Sequence, residues 1–343
     1  LHGGRRREKT AKRGGRIVRE GAGIQPFPQG VAAVPLVLDL PAPTAQNRRV
    51  SAQVHCTRTF MKRIGIDLGG TKAEAVLLDQ AGRELARRRV PSPQGDYGAT
   101  LAMLRDLVAA IEAEAGPAET IGIGAPGATS PATGLHKNSN SVWINGRPFA
   151  ADVAAALGRP IRLANDANCF ALSEAVDGAG RGASPVFGVI LGTGAGGGGV
   201  VDGRVLTGAN AIGGEWGHTP LPWPKPDELP GTRCYCGKFG CMETWVSGTG
   251  FAADFARATG RAIAAPAIAA AAEAGAADAR AAMERLIDRL ARGLAVVVNI
   301  VDPEVIVLGG GLSKVQALYA PLQERLARYA FSDRLSTRVS PAV

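Results

Sequence analysis

Apolar and polar positions alternate through Ile64-Gly-Ile-Asp-Leu68, and the alternation stops at Gly69-Gly70-Thr71-Lys72. A period of two that ends in glycines predicts a strand running into a tight turn. Ala73–Leu78 predicts a second strand, Asp79–Gly82 a turn and Glu84–Val90 a third strand. The period then lengthens. Leu101, Leu104, Val108 and Ile111 share one face of a predicted helix over Tyr97–Ala115, followed by a strand at Thr120–Gly124. A short strand at Ile161–Leu163 leads to a helix at Cys169–Val176.

The opening pattern recurs. Val186–Leu191 predicts a strand, Gly192-Thr-Gly194 a turn, Gly198–Val201 a strand, Asp202-Gly203 a turn and Arg204–Thr207 a strand. Leu286–Ile300 then reads as a helix, and Val305–Leu308 as a buried strand entering Gly309-Gly310-Gly311. Two hairpin units that open alike imply a duplicated lobe. Strands feeding glycine loops, with helices between, indicate a two-lobed α/β protein with glycines along its cleft.

Composition changes this picture only at one end. The chain has 343 residues, 46% apolar and 20% charged, as expected of a globular protein with a substantial core. Its net charge of +9 invites a nucleic-acid or membrane reading. Residues 1–60 hold 11 Lys and Arg against 3 Asp and Glu, which leaves a net of +1 for residues 61–343. The first sixty residues show basic clusters and no sustained period, so they are expected to form a disordered leader. Met61 precedes the first clear strand, and the leader is read as an upstream extension of a protein starting there. Residues 61–180 are expected to form the N-terminal lobe and 181–343 the C-terminal lobe. No apolar run approaches the length needed to span a bilayer, and a cytoplasmic protein is expected.

Two segments fit G-x-G-x-x-G, at Gly122/Gly124/Gly127 and Gly192/Gly194/Gly197, but neither opens a helix, so neither reads as a dinucleotide fingerprint. Asp67-Leu-Gly-Gly-Thr-Lys72 is different. A turn of small residues exposes backbone N–H groups to phosphate oxygens, Thr71 adds a hydroxyl and Lys72 a charge. Asp67 at the strand end could hold Mg²⁺ directly or through water. A plain tight hairpin is the other reading, and the second turn at Gly192-Thr193-Gly194 favours the phosphate clamp.

Cys234-Tyr-Cys236-Gly-Lys-Phe-Gly-Cys241 places three thiols on one short loop, with His218 sixteen residues upstream. Three thiolates and an imidazole suit a closed tetrahedral zinc site with a structural role. Redox cysteines are the competitor, but the spacing is not that of a thioredoxin-type motif. The other two cysteines, Cys56 and Cys169, are expected to be inert. Asn165 and Asp166 stand where a strand becomes a helix, as cap or cleft residues. Glu215 and Glu243 bracket the metal ligands. Carboxylates beside amides suit the paired hydrogen bonds of a polyhydroxylated ligand, so a sugar is the expected substrate class.

Together, Asp67–Lys72, Gly124-Ala-Pro-Gly127, Leu163–Asn168, Gly214–His218 and Cys234–Glu243 resemble the ROK family (repressors, open reading frames, kinases) over nearly all of residues 61–343. Lys137–Gly146 and Ser173–Gly178 resemble its fructokinase (manno-fructokinase) branch more than its N-acetylglucosamine kinase branch. The resemblance implies an actin-like, hexokinase-type ATPase fold of two ribonuclease-H-like lobes around a cleft. It implies ATP-dependent phosphorylation of a hexose, fructose to fructose 6-phosphate first, with mannose, glucose or N-acetylglucosamine as alternatives. Asp166 would be the general base, and Asn165, Glu215, His218 and Glu243 would hold the sugar, His218 serving zinc as well. Gly65, Asp67, Gly69, Gly70, Thr71 and Lys72, with Gly192, Thr193, Gly194, Gly196 and Gly197, would hold the phosphates of ATP. Gly309, Gly310 and Gly311 would lie near the adenosine.

The family is often dimeric, so a homodimer is an expected assembly. It also contains sugar-responsive repressors with a helix-turn-helix domain before the lobes. Residues 1–60 lack paired amphipathic helices, so no nucleic-acid partner is expected. The resemblance leads one to expect a glycine-containing segment and a final helix after Val343, so the C-terminal lobe is expected to be cut short.

Overall fold

The computed structural model describes residues 61–343. The expected leader, the expected absence of a DNA-binding domain within it, and Cys56 fall on residues 1–60, outside the described residues. The alternating segment becomes β1 (Arg63–Leu68), which pairs antiparallel with β2 (Lys72–Leu78), and β2 with β3 (Glu84–Pro91). Two further strands, β4 (Thr120–Ala125) and β7 (Arg162–Asn165), add in parallel on the other side, for an order of β3-β2-β1-β4-β7. Between them lie the small ribbon of β5 (Ala128–Thr129) and β6 (His136–Lys137). Ile64, Ile66 and Leu68, every second residue of β1, share a core with Leu104, Val108 and Ile111 of α1 (Tyr97–Ala115), and with Phe149 and Val153 of α2 (Phe149–Leu157).

The second half repeats this plan. β8 (Val186–Leu191), β9 (Ala195–Val201) and β10 (Arg204–Val205) form an antiparallel unit. β11 (Val305–Gly309) and β12 (Arg338–Pro341) continue it in parallel, giving β10-β9-β8-β11-β12. Each sheet thus has a three-strand meander and two parallel additions in the same order. This is the pair of ribonuclease-H-like lobes, in the actin-like arrangement, that the family resemblance implies and with which the repeated pattern agrees.

Helix α3 (Asp166–Val176) follows β7 without a break, so the chain crosses from the first sheet to the second at Asn165–Asp166. It begins three residues earlier than the predicted Cys169, because Asn165 caps it. Although α3 precedes the expected lobe boundary at residue 180, it packs on β8 and β9. Glycines make that approach possible. A Cβ at Gly188 would stand 2.8 Å from the Cβ of Ala171, and one at Gly198 would stand 2.7 Å from the carbonyl oxygen of Ala167. Side chains at these positions would lift α3, and with it Asp166, off the sheet.

Beyond β10 come α4 (Glu243–Val246), α5 (Gly248–Thr259), α6 (Ala265–Glu273), α7 (Ala277–Val301) and α8 (Tyr319–Tyr329). The alanine-rich stretch is two helices, parted at Gly275, whose φ of +98° no other residue adopts readily. α7 runs 25 residues, starting nine before the predicted Leu286. Its buried Arg292 and Arg289 grip Glu228, whose carboxylate also accepts the N–H of Lys225 at 2.8 Å. This pairing fastens the long loop after β10 to α7. Among the described residues, no helix is long and apolar enough to cross a membrane.

Candidate functional site

A cleft of about 1060 Å³ is lined by residues of both sheets. The β7–α3 junction lies on its floor. Asn165 ends β7 and caps α3. Its Oδ1 accepts the N–H of Asn168 at 3.1 Å, and its Nδ2 donates to the carbonyl of Gly127 at 3.2 Å. The amide therefore fixes the junction from both ends and leaves Asp166 in the first helical turn. Asp166 Oδ1 accepts the N–H of Ala167 at 2.8 Å. Burial pushes the Asp166 carboxyl above its usual value of 3.8, against the Ala167 hydrogen bond, and repulsion from Asp67 adds to the rise.

Asp67 is the last residue but one of β1, the central strand of the first sheet. The cleft walls push its carboxyl up as well, Glu74 reinforces this, and Lys72 and Arg89 oppose it. The following turn is closed by the N–H of Gly69 on the carbonyl of Lys72 at 2.9 Å. Ser92, just past β3, holds it from outside. Its N–H donates to Thr71 O at 3.0 Å and its hydroxyl to Gly69 O at 2.8 Å. Gly65, Asp67, Gly69, Gly70, Thr71 and Lys72 all line the cleft. So do Gly192, Thr193, Gly194, Gly196 and Gly197 of the second sheet. The third glycine group divides. Gly310 lines the cleft, whereas Gly309 closes β11 beneath the ring of Phe170 and Gly311 stands outside the lining.

The ligand atoms of His218, Cys234, Cys236 and Cys241 all lie within 4.8 Å of one another. Cys236 and Cys241 Sγ are 3.6 Å apart, and His218 Nδ1 is 3.5 Å from Cys234 Sγ. Zinc at the centre of a tetrahedron has edges of about 3.8 Å between thiolates and about 3.6 Å between thiolate and imidazole. The four side chains fit that ion. The other ring nitrogen of His218 lies 2.9 Å from the hydroxyl of Tyr235, so both nitrogens have protein neighbours.

Glu215 and Glu243 line the cleft beside this cluster. Burial pushes the Glu215 carboxyl up; His218 opposes this, and Asp166 and Glu243 add to it. Glu243 Oε2 accepts the N–H of Ala195 at 3.1 Å, so this carboxylate is committed in part to the start of β9. Asn165, Asp166, Glu215, His218 and Glu243 are thus brought together, facing two glycine turns.

Several lining residues escape sequence reasoning. Asn138 and Asn140 enter from the loop after β6. Asn145 shapes that loop, accepting the N–H of Ser139 at 2.9 Å and donating to its carbonyl at 2.8 Å. The φ of +63° at Asn138 is one that asparagine tolerates. Tyr235 also lines the cleft, between two metal ligands whose spacing alone draws notice.

A sequence model of the ROK family matches residues 63–342. The N-acetyl-D-glucosamine kinase of Pectobacterium atrosepticum is 40% identical over 266 residues, covering 76% of this chain and 88% of its own. The crystal structure of a ROK hexokinase from Thermus thermophilus superposes with a TM-score of 0.71 at 33% identity, over 82% of this chain and 93% of its own. A ROK family glucokinase from Streptomyces griseus, solved in complex with glucose and AMPPNP, gives a TM-score of 0.68 at 28% identity, over 82% and 94%.

Proposed function

We infer the reaction of this chain from its kinship: it belongs to the ROK family. We propose that it transfers the terminal phosphoryl group of ATP to a hexose hydroxyl, with fructose as first substrate and fructose 6-phosphate as product. The observation that carries the reading is the position of Asp166, an acid held at a strand–helix junction between two glycine turns. Asn138, Asn140, Asn165, Glu215 and Glu243 surround it with the donors and acceptors a sugar requires. His218 joins them on the expectation from the family, with Tyr235 as its neighbour toward the cleft.

In the transfer, the sugar oxygen forms a bond to the γ-phosphorus while the bond to the β–γ bridging oxygen breaks, and that electron pair leaves on ADP. The hydroxyl proton passes to Asp166, whose Oδ2 is free of the Ala167 hydrogen bond. The N–H of Gly69 closes the first turn on Lys72 O and that of Gly192 the second on Gly194 O, so the N–H groups of Gly70, Thr71, Thr193 and Gly194, with Lys72, would meet the phosphate oxygens. Asp67, in the cleft beside the first turn, would hold Mg²⁺, which would supply charge neutralisation on the phosphates. His218, Cys234, Cys236 and Cys241 would hold a structural zinc ion, whose loop carries Glu243 and lies beside Glu215.

Lys137–Gly146 supports fructose, through its likeness to the fructokinase branch. The 40% identity to an N-acetyl-D-glucosamine kinase supports N-acetylglucosamine as the second reading. An ATP-consumption assay of the full chain on a hexose panel separates them. Fructose is expected to give the highest kcat/KM. A higher value for N-acetylglucosamine selects the second reading, and no ATP consumption with any hexose refutes the kinase assignment.

A further inference from the structure

The two glycine turns are alike in sequence but are held differently. Ser92 braces the first. The second, Gly192-Thr-Gly194, is gripped by a segment to which no role has so far been attached, Ser247-Gly-Thr-Gly250 at the start of α5. The N–H of Gly248 donates to Gly192 O at 2.7 Å, and the hydroxyl of Thr249 donates to Thr193 O at 2.8 Å. Ser247, fully buried, accepts the N–H of Gly250 at 3.0 Å, and its hydroxyl lies 3.0 Å from that of Thr249. With Glu243 on the N–H of Ala195, the three consecutive peptide groups from Gly192–Thr193 to Gly194–Ala195 each have one atom pinned.

The steric fit is as close as the hydrogen bonding. A Cβ at Gly248 would stand 3.0 Å from Gly192 O, and one at Gly194 would stand 2.6 Å from Glu243 Oε2. The two G-T-G segments therefore meet backbone to backbone. With the carbonyls of Gly192 and Thr193 taken, and the N–H of Gly192 closed on Gly194 O at 3.0 Å, the turn keeps the N–H groups of Thr193 and Gly194 and the side chain of Thr193 for the cleft. A phosphate binds such a turn well only if its N–H groups already converge, because ordering them on binding would cost affinity.

We propose that Ser247–Gly250 is a brace for nucleotide binding, with Thr249 the positioning residue that sets the Gly192–Gly194 turn for the phosphates of ATP. This rests on the assignment of that turn to ATP in the reading above. The brace begins six residues after Cys241, so the metal-ligating loop and the phosphate turn share one short stretch of backbone.

The test uses the full chain and two variants that disturb the turn by different means. Thr249→Val removes one hydrogen bond, and Gly248→Ala presses a methyl group on the Gly192 carbonyl. Equilibrium binding of a non-hydrolysable ATP analogue is measured beside hexose binding and thermal melting. Thr249→Val is expected to weaken the analogue about two- to tenfold, the equivalent of one hydrogen bond. Gly248→Ala weakens it further, hexose affinity stays within about twofold, and Thr249→Ser restores the analogue. Unchanged analogue affinity in both variants overturns the proposal, and so does an equal loss of hexose and analogue. A wild-type chain that binds the analogue but turns over no hexose refutes the kinase reading alone, and the brace is still judged by the variants. A wild-type chain that does not bind the analogue refutes both.

Discussion

Asp166→Asn separates chemistry from binding at this site. Asparagine keeps the size of the side chain, and its Oδ1 can still accept the Ala167 N–H that Asp166 accepts at 2.8 Å. Its amide can also hydrogen-bond the sugar hydroxyl, so the hexose should bind within about twofold of wild type. What is lost is a proton acceptor, and general-base catalysis contributes about 10²- to 10⁴-fold. At about 1.36 kcal/mol per factor of ten, the barrier rises by about 2.7–5.4 kcal/mol. The pH dependence supplies a second reading of the same residue. Because burial raises the Asp166 pKa above 3.8, wild-type kcat/KM should fall with decreasing pH about a midpoint above that value, and the variant should lack this limb. Stability should move the other way. A carboxyl whose folded pKa is raised destabilises the fold when ionised. That cost is absent below the unfolded pKa and complete once the pH has risen through the folded one. At pH 7 the variant should therefore melt no lower than wild type. Steady-state kinetics, hexose calorimetry and a thermal melt decide the matter. A kcat within tenfold of wild type refutes the base assignment, and hexose binding lost together with melting temperature makes Asp166 a structural cap.

Two further perturbations probe the scaffold. Glu228→Gln removes one of the two anionic partners of buried Arg292; breaking such pairs costs about 3–5 kcal/mol, and the remaining contacts of Arg292 to Asp288 and to the carbonyls of Pro222 and Trp223 favour the lower figure. Burial raises the Glu228 pKa, but hydrogen bonds from Arg292, Arg289 and the Lys225 N–H outweigh it and hold the carboxyl at about 2. Its stabilisation is therefore complete above 4.5 and fades as pH falls toward about 2. Urea unfolding of the variant should show a loss above 1 kcal/mol at pH 7 and none of that acid decline. Cys236→Ser should remove about one equivalent of zinc per chain, by metal analysis, and lower the melting temperature. A wild-type chain that carries no zinc and melts as the variant does would refute the metal assignment.

The strands that carry the first glycine turn are plain in the sequence because one face of each is buried, which imposes a period of two on Ile64, Ile66 and Leu68. The repeat at Val186 is plain for the same reason. Helix α5 and the last strand carry weaker signals, since α5 opens with glycines and β12 is half exposed. Local patterns also hide what a side chain faces. Trp143 lies in the segment whose sequence carries the branch resemblance, yet its indole N–H donates to Thr100 at 3.0 Å and its ring packs against the core of the first lobe, while Asn138 and Asn140 line the cleft. Gly309 and Gly310 are indistinguishable by type, and only packing against Phe170 tells them apart. The acidic and thiol residues were legible because their chemistry is uncommon at such spacing; Thr249 was not, because threonine beside glycine is ordinary at a helix start.

The crossing of the chain at Asn165–Asp166 has a mechanical consequence. Within residues 61–343 it is where β7 of one sheet hands over to a helix seated on the other. A swing of the sheets about this crossing would make the peptide its axle, and points on an axle do not travel. The carboxylate of Asp166 would hold its address through every stroke, while the rims of the cleft sweep past it. Fluorophores placed on the outer edges, at β3 and β10, should report large excursions on adding sugar. One placed beside Asp166 should stay nearly silent.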